Sequence, residues 1–202
     1  MMKLIRSTIA VLALVASAVP AIADDPSAVA GTRNCTWCHG TSAQGYANAP
    51  RLAAQQHQYI LSQLLSFRTH ARDNPFSKQY MWGAAANLSV GRAHALATYF
   101  STLPPRAAND GHRDLAAAGR ALYEDGDPDA NTVACAVCHG PNGEGIGRIP
   151  RLGGLSYDYL KRKLRQWGEG YHAAAEPPMP LIAGKLSPDE IEVLASYLSF
   201  VK

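Results

Sequence analysis

The sequence predicts an all-helical protein built from two tandem modules, and three observations carry that reading. A Cys-x-x-Cys-His run occurs twice, as Cys35-Thr36-Trp37-Cys38-His39 and, one hundred residues later, as Cys135-Ala136-Val137-Cys138-His139. The residues around the two runs match at the same offset, so the chain is a repeat. Within each copy the apolar residues recur at helical spacing, and no stretch alternates as a strand would.

The elements follow in chain order. Met1 to Ala23 begins with Lys3 and Arg6, continues through an apolar run from Thr8 to Val19 and ends in Ala21-Ile22-Ala23, the order of a secretory signal removed on export. The run is short for a bilayer span. Of the 19 Lys and Arg residues, loss of Lys3 and Arg6 leaves 17 against 16 acidic residues, a net charge of +1. That balance excludes a nucleic-acid partner, which needs a concentrated basic face. Charge is unevenly placed: residues 24–104 hold six basic and three acidic groups, whereas residues 117–202 hold nine and eleven.

The first module is read over residues 24–104 and the second over 114–202, with 105–113 as the linker. At an offset of one hundred, Gly40, Gly45, Pro50, Arg51, Leu52, Tyr59 and Leu64 meet Gly140, Gly145, Pro150, Arg151, Leu152, Tyr159 and Leu164. Further on the offset is 98, and Leu88, Ser89, Leu96 and Tyr99 meet Leu186, Ser187, Leu194 and Tyr197. Ile60, Leu64 and Phe67, and likewise Leu160, Leu164 and Trp167, give one apolar helix face each. The last helix of each module carries an i, i+3, i+4, i+7 stripe: Ala93, Leu96, Ala97 and Phe100, then Ile191, Leu194, Ala195 and Leu198. Ser187, Pro188 and Glu190 predict a capping box at the start of the second of these, with Leu186 placed to staple onto Ile191, whereas Ser89 caps without a glutamate. Pro104 and Pro105 forbid helix continuation, and Asn109-Asp110-Gly111 is a turn-forming run. An alanine-rich helix follows from Asp114 to Glu124, in which Gly119 permits a close helix crossing and Tyr123 can wedge into it.

The repeated motif carries the chemistry. Two thiols about one helical turn apart can add across the two vinyl groups of a haem while the adjacent imidazole reaches the iron. Two runs imply two covalent haems, and they use all four cysteines of the chain. An all-thiolate zinc site, a thioredoxin-like dithiol or two structural disulfides would each use the same thiols, but none explains the histidine after each pair. Each module has about 80 to 90 residues, a size at which a core is marginal without a staple, and a bound haem is such a staple.

After removal of the signal the chain keeps two methionines, Met81 and Met179, each seven residues before the matched Leu88 and Leu186. With His39 and His139 they form candidate axial pairs, 42 and 40 residues apart. His70 and His172 are the second-ranked ligands, because they do not align in the repeat. A thioether opposite an imidazole raises the reduction potential and leaves no open coordination site, which favours electron transfer over chemistry on a bound ligand. Asp125, Asp127, Asp129 and Asn131 alternate like a calcium loop but lack its glycine and glutamate, so they read as a solvated turn. Lys161-Arg162-Lys163 and Arg165 read as the wet face of their helix.

These residues together resemble the class I cytochrome c family, and the tandem is similar to the dihaem cytochrome c4 group. The resemblance covers nearly all of the mature chain. It rests most specifically on Gly119 and Tyr123, Cys135 to Gly140, Pro150, Met179-Pro180 and the helix from Ser187. It implies cytochrome c-like helical domains wrapped around covalently attached haem, with Pro50 and Pro150 offering carbonyls to the proximal imidazoles. It also implies domains facing each other across a pseudo-twofold with the haem propionates near the interface, and Arg51 and Arg151 as their partners. The implied function is a periplasmic one-electron carrier without catalytic residues, working between redox proteins such as a quinol-oxidising complex, a dehydrogenase or a terminal oxidase. A dehydrogenase's cytochrome subunit and a haem enzyme or sensor with an open iron are the other readings, and the partner set admits peripheral membrane association. Two departures from the family pattern stand out. Only eleven residues, Asp24 to Asn34, precede Cys35, so the first helix of module one reads as truncated. Trp82 follows Met81 where the family commonly has proline.

Overall fold

The computed structural model describes residues 26–46, 48–171 and 178–202. Residues 1–25, which include the stretch read as a signal, and His172 lie outside the described residues. Module one contains α1 (Pro26–His39), α2 (His57–Arg68), a π-helical turn (Ser77–Met81), α3 (Trp82–Ala85) and α4 (Val90–Thr102). Module two contains a 3-10 turn (Arg113–Leu115), α5 (Ala116–Asp125), α6 (Ala136–His139), α7 (Tyr157–Gly168), α8 (Met179–Ala183) and α9 (Pro188–Phe200). Among the described residues strand pairing is confined to isolated bridges. Two of these, Tyr46 with Ala49 and Ile146 with Ile149, are equivalent by the repeat. No helix among the described residues is long and apolar enough to cross a membrane.

The apolar stripes become the cores. Ala93, Leu96, Ala97 and Phe100 of α4 are buried, as are Ile191, Leu194, Ala195 and Leu198 of α9. One cluster joins α4 to Ala43, Ala53 and Ile60, and a second joins α9 to Tyr123, Leu155 and Leu160. At the start of α9 the Glu190 amide donates to Ser187 Oγ at 3.2 Å, and the Ser187 amide donates to Glu190 Oε2 at 2.7 Å. That is the complete capping box; α4 has only the Arg92 amide on Ser89 Oγ at 3.1 Å.

Module two closes where α5 crosses α9 at Gly119. A Cβ there would stand 2.0 Å from the Val193 carbonyl oxygen, so no side chain fits the crossing. Four residues on, the fully buried Tyr123 packs its ring 5.6 Å from that of Tyr197. In module one the helix ahead of the motif is short, as the sequence predicts: nine residues, 26–34, precede Cys35 in α1. It is continuous with the motif, so that α1 runs 14 residues and ends on His39 itself. In module two a separate helix, α5, precedes the motif helix α6, with the Asp127–Thr132 bridge between them; its place in the repeat falls on residues 16–25, outside the described residues.

The linker is held against α9. The Asn109 amide donates to the Ser199 carbonyl at 3.0 Å, the Gly111 amide to Ser199 Oγ at 3.0 Å and the His112 amide to Ser196 Oγ at 3.3 Å. Both serines are fully buried. Asp110 then accepts from the Tyr157 amide at 2.9 Å, so the linker supplies the N-terminal cap of α7 that Ser156 does not.

Side-chain amides and guanidiniums join the modules. Buried Gln55 donates to the Arg151 carbonyl at 2.9 Å and accepts from the Arg151 amide at 2.6 Å. Gln56 donates to the carbonyls of Glu144 and Gly145 at 2.8 and 3.0 Å. Arg162 donates to the side chain and carbonyl of Asn48 at 3.0 and 2.9 Å, and its guanidinium lies 4.1 Å from the Phe76 ring centroid. The wet-face reading of Lys161-Arg162-Lys163 is therefore corrected. Arg162 is a contact between modules, Lys161 is paired with Glu192 at 2.5 Å, and burial together with the charges of Arg72 and Arg162 pushes Lys163 down to about 5. Only Arg165 is exposed. The sequence pattern misses this because α7 turns part of its polar face toward a second module.

The Gly119 crossing predicts two opposite outcomes in thermal or denaturant unfolding of the haem-loaded protein. Gly119→Ala lowers stability by about 3 kcal/mol through overpacking against backbone. Gly91→Ala on α4, where an added Cβ meets nothing within 4 Å, leaves stability unchanged or raises it by up to about 1 kcal/mol.

Candidate haem sites

Each motif ends a helix, which sets its geometry. Cys35, Cys38 and His39 stand at i, i+3 and i+4 on the last turn of α1, and one face of an α-helix carries all three. Cys135 precedes α6 in helical conformation, so the second motif has the same spacing. The chain then reverses through Gly40 and Gly140, both left-handed at φ 80° and 81°. The Gly45 and Gly145 amides return to the carbonyls of His39 and His139 at 2.9 and 2.8 Å. A Cβ on Gly145 would meet the Ile149 carbonyl oxygen at 2.4 Å, which is why this loop can fold so closely under the histidine.

The loop delivers a proline carbonyl to the imidazole. His39 Nδ1 donates to the Pro50 carbonyl at 2.8 Å and His139 Nδ1 to that of Pro150 at 2.9 Å. A carbonyl only accepts, so Nδ1 carries the proton and Nε2 keeps its lone pair. Both rings are buried, and burial lowers both pKa values against the opposing effect of the proline carbonyl. A neutral, oriented imidazole with Nε2 bare is the state a metal ligand requires.

The cysteines are unpaired, Cys38 and Cys138 exposed, Cys35 and Cys135 half-buried. Burial pushes the Cys35 thiol up and the Cys135 thiol to about 11. Among the described residues no group of three His, Cys, Asp or Glu side chains converges as a metal cage needs, so an all-thiolate zinc site has no donors to form it. Asp127 accordingly accepts from the amides of Asp129 and Ala130 at 2.9 and 3.1 Å, a closed turn.

The residues fit a haem in a further respect. Arg51 donates to Gln44 Oε1 at 2.9 Å and the Arg106 carbonyl at 3.2 Å, and Arg151 donates to the Gly153 carbonyl at 2.9 Å. Yet Arg51 Nε and Arg151 Nη2 are buried without a partner. Burial weakens proton binding at both guanidiniums, with Asp110 and Glu144 opposing it. Buried cationic donors lacking acceptors suit the carboxylates that a haem brings.

On the other side the modules differ. Met81 is half-buried at the end of the π-helical turn, whose start is capped by Asn74 Oδ1 accepting from the Ser77 amide at 3.1 Å. Trp82 begins α3 and donates its indole N–H to the Arg72 carbonyl at 2.9 Å. His70 is exposed, left-handed at φ 63°, and stacks on Trp82 with ring centroids 3.9 Å apart. Met179 opens α8, with Pro180 in its first turn. Module one thus presents its methionine from a π-helical turn, module two from a Met-Pro helix start. Sequence reasoning missed the role of Tyr123 at this site: its hydroxyl donates to the Gly140 carbonyl at 2.6 Å and ties α5 to the loop behind His139. The signal was the Gly119–Tyr123 pair itself.

A family model described as Cytochrome c matches residues 116–202. Cytochrome c-552 of Acidithiobacillus ferridurans is 32% identical over 199 residues, covering 97% of this chain and 86% of its own length. A thiosulfate dehydrogenase electron acceptor of Stutzerimonas stutzeri (strain A1501) is 36% identical over 185 residues, with coverage of 88% and 81%. Among solved structures, cytochrome c4 of Acidithiobacillus ferrooxidans superposes with a TM-score of 0.77 at 32% identity, over 82% of this chain and 98% of the other.

The Tyr123 bond predicts that Tyr123→Phe lowers stability of the haem-loaded protein by about 1–2 kcal/mol, the cost of an unpaired buried carbonyl. Burial raises the Tyr123 pKa, so this residue's stabilisation is complete below the unfolded value near 10 and is lost as pH rises through the folded value. Unfolding titrations above pH 10 check this, and the alkaline decline is shallower in the phenylalanine variant.

Proposed function

Because the chain belongs to the cytochrome c family, as a two-haem electron carrier like cytochrome c4, we propose that His39 with Met81 and His139 with Met179 hold its two irons. Cys35, Cys38, Cys135 and Cys138 carry the thioether links. When bound, each haem c supplies a one-electron iron couple. The chain's residues do the rest. Pro50 and Pro150 fix the imidazole tautomer, and Arg51 and Arg151 neutralise propionates. The leucines packed on each core, among them Leu64, Leu88, Leu164 and Leu186, exclude water. The observation that carries the reading is the repeated Nδ1 bond of 2.8 and 2.9 Å, which leaves both Nε2 atoms as ligands. Held by these histidines and methionines, the irons would have no open site, which suits outer-sphere electron transfer and a carrier in place of an enzyme.

We further propose the module boundaries 24–104 and 114–202 around the linker 105–113, and a periplasmic location reached through cleavage of the signal at Met1–Ala23. Its partners are a donor and an acceptor redox protein. A second reading, the electron-accepting subunit of a dehydrogenase, is favoured by the 36% identity to the thiosulfate dehydrogenase electron acceptor. Co-purification with a larger oxidoreductase would select it.

The ligand assignment is tested by Met81→Ala and Met179→Ala. Each is expected to remove its own share of the far-red sulfur-to-iron absorption band while leaving haem content unchanged. An unchanged band in either variant refutes that methionine.

A further inference from the structure

The two modules show the solvent different chemistry. Large hydrophobic residues exposed in module one are mostly aromatic, Trp37, Tyr46 and Tyr80, whereas in module two they are aliphatic, including Val137 and Ile146. The contrast is sharpest inside the attachment motifs. Trp37 is 92% exposed and its repeat equivalent Val137 is 82% exposed. On α1, residues 35, 38 and 39 share one face; at 100° per residue Trp37 points to the opposite side, together with Arg33 one turn before it. Arg33 is itself exposed. Trp37 thus stands on the outer face of α1, between the two attachment cysteines in sequence.

Charge divides the same way. Between residues 26 and 104 the only carboxylate is Asp73, against six Lys and Arg residues. Arg51 and Arg72 each hold a buried, unpartnered Nε, so they belong to the interior. Arg33, Lys78 and Arg92 remain exposed. The ion pairs among the described residues, His112–Glu192, Arg120–Glu124 and Lys161–Glu192, all lie outside module one. Arg33 shares the face of Trp37, whereas Arg92 lies toward the opposite face, near enough to Cys35 to act on its thiol. Module two instead carries Asp125, Asp127 and Asp129 shortly before Cys135 in sequence, and packs the Glu144 carboxylate against Gly140 at the end of its motif. Protein interfaces concentrate binding energy in tryptophan, tyrosine and arginine, and complementary charge sets the approach.

We propose that module one is the docking end of the carrier for an acidic redox protein, with Trp37 as the apolar anchor and Arg33, on the same face of α1, as its cationic rim. This rests on the electron-carrier reading above. The partner's face has a carboxylate border and an apolar centre. Module two, acidic around its motif, is repelled from that face, so the carrier approaches in one orientation.

A gold electrode coated with a mixed carboxylate- and methyl-terminated monolayer is the probe, read by voltammetry of the full haem-loaded chain. The wild type is expected to exchange electrons faster there than at an amine-terminated layer, and to lose that advantage as salt rises. Trp37→Ala and Arg33→Glu each lower the exchange rate roughly tenfold or more, while Val137→Ala leaves it unchanged. All these positions are exposed, and an unaltered haem spectrum in each variant shows that folding is intact. Faster exchange at the amine layer, or equal rates for the Trp37 and Val137 variants, overturns the docking proposal and leaves the carrier reading standing. Absence of any reversible couple at every electrode overturns both.

Discussion

One hydrogen bond, made twice, organises this structure: an imidazole Nδ1 gives its proton to the carbonyl of a proline eleven residues further along the chain. A histidine buried in a small apolar core needs a reason to stay neutral and to point one way, and this bond is that reason. To make it, the motif helix must stop at His39 or His139 and the chain must reverse at once. The loop must also pass close beneath the ring. Gly40, Gly45 and their repeat partners are the residues that permit the path, and Tyr123 braces it in module two. The helices after the loop, α2 with α4 and α7 with α9, pack from the positions this turn leaves them.

The second constraint is that two such units act as one body. The seam consists mainly of side chains reaching backbone, as with Gln55 on Arg151 and Gln56 on Glu144 and Gly145. Breaking it would expose bare amides and carbonyls on both sides, so it holds orientation more than it adds apolar burial. Arg72 is central to it, donating to Gln63 Oε1 at 2.5 Å and to Tyr159 across the seam at 3.5 Å. An electron carrier with two centres benefits from a fixed relation between them, because little rearrangement then accompanies transfer. The linker serves the same end: it bonds to Ser196 and Ser199 and caps α7 through Asp110 in module two, and its Arg106 carbonyl accepts from Arg51 of module one.

Much of this was legible in the residues. The buried stripes of α4 and α9, the capping box at Ser187 and Glu190, and the crossing at Gly119 follow from local chemistry with a fixed period or spacing. The proline carbonyls were foreseen from the family resemblance. What was not legible has no period. Gln55 and Gln56 read as two polar residues before a helix, and their partners stand 88 to 96 residues away. Arg162 reads as solvated because helical patterning separates apolar from polar faces and does not register a polar face turned toward a second module. The short first helix was legible too: α1 runs into the motif with nine residues ahead of Cys35, and none of them is a tyrosine placed like Tyr123.

The central claim is that each half of the chain closes around one iron with both axial positions taken. A reductive titration of the purified, haem-loaded protein, combined with a haem count per chain and exposure of the reduced form to carbon monoxide at neutral pH, tests it most directly. The account predicts one haem for each of the two attachment motifs, one-electron steps at both and no carbon monoxide adduct. A single haem per chain, or a reduced iron in either module that binds carbon monoxide, would contradict it.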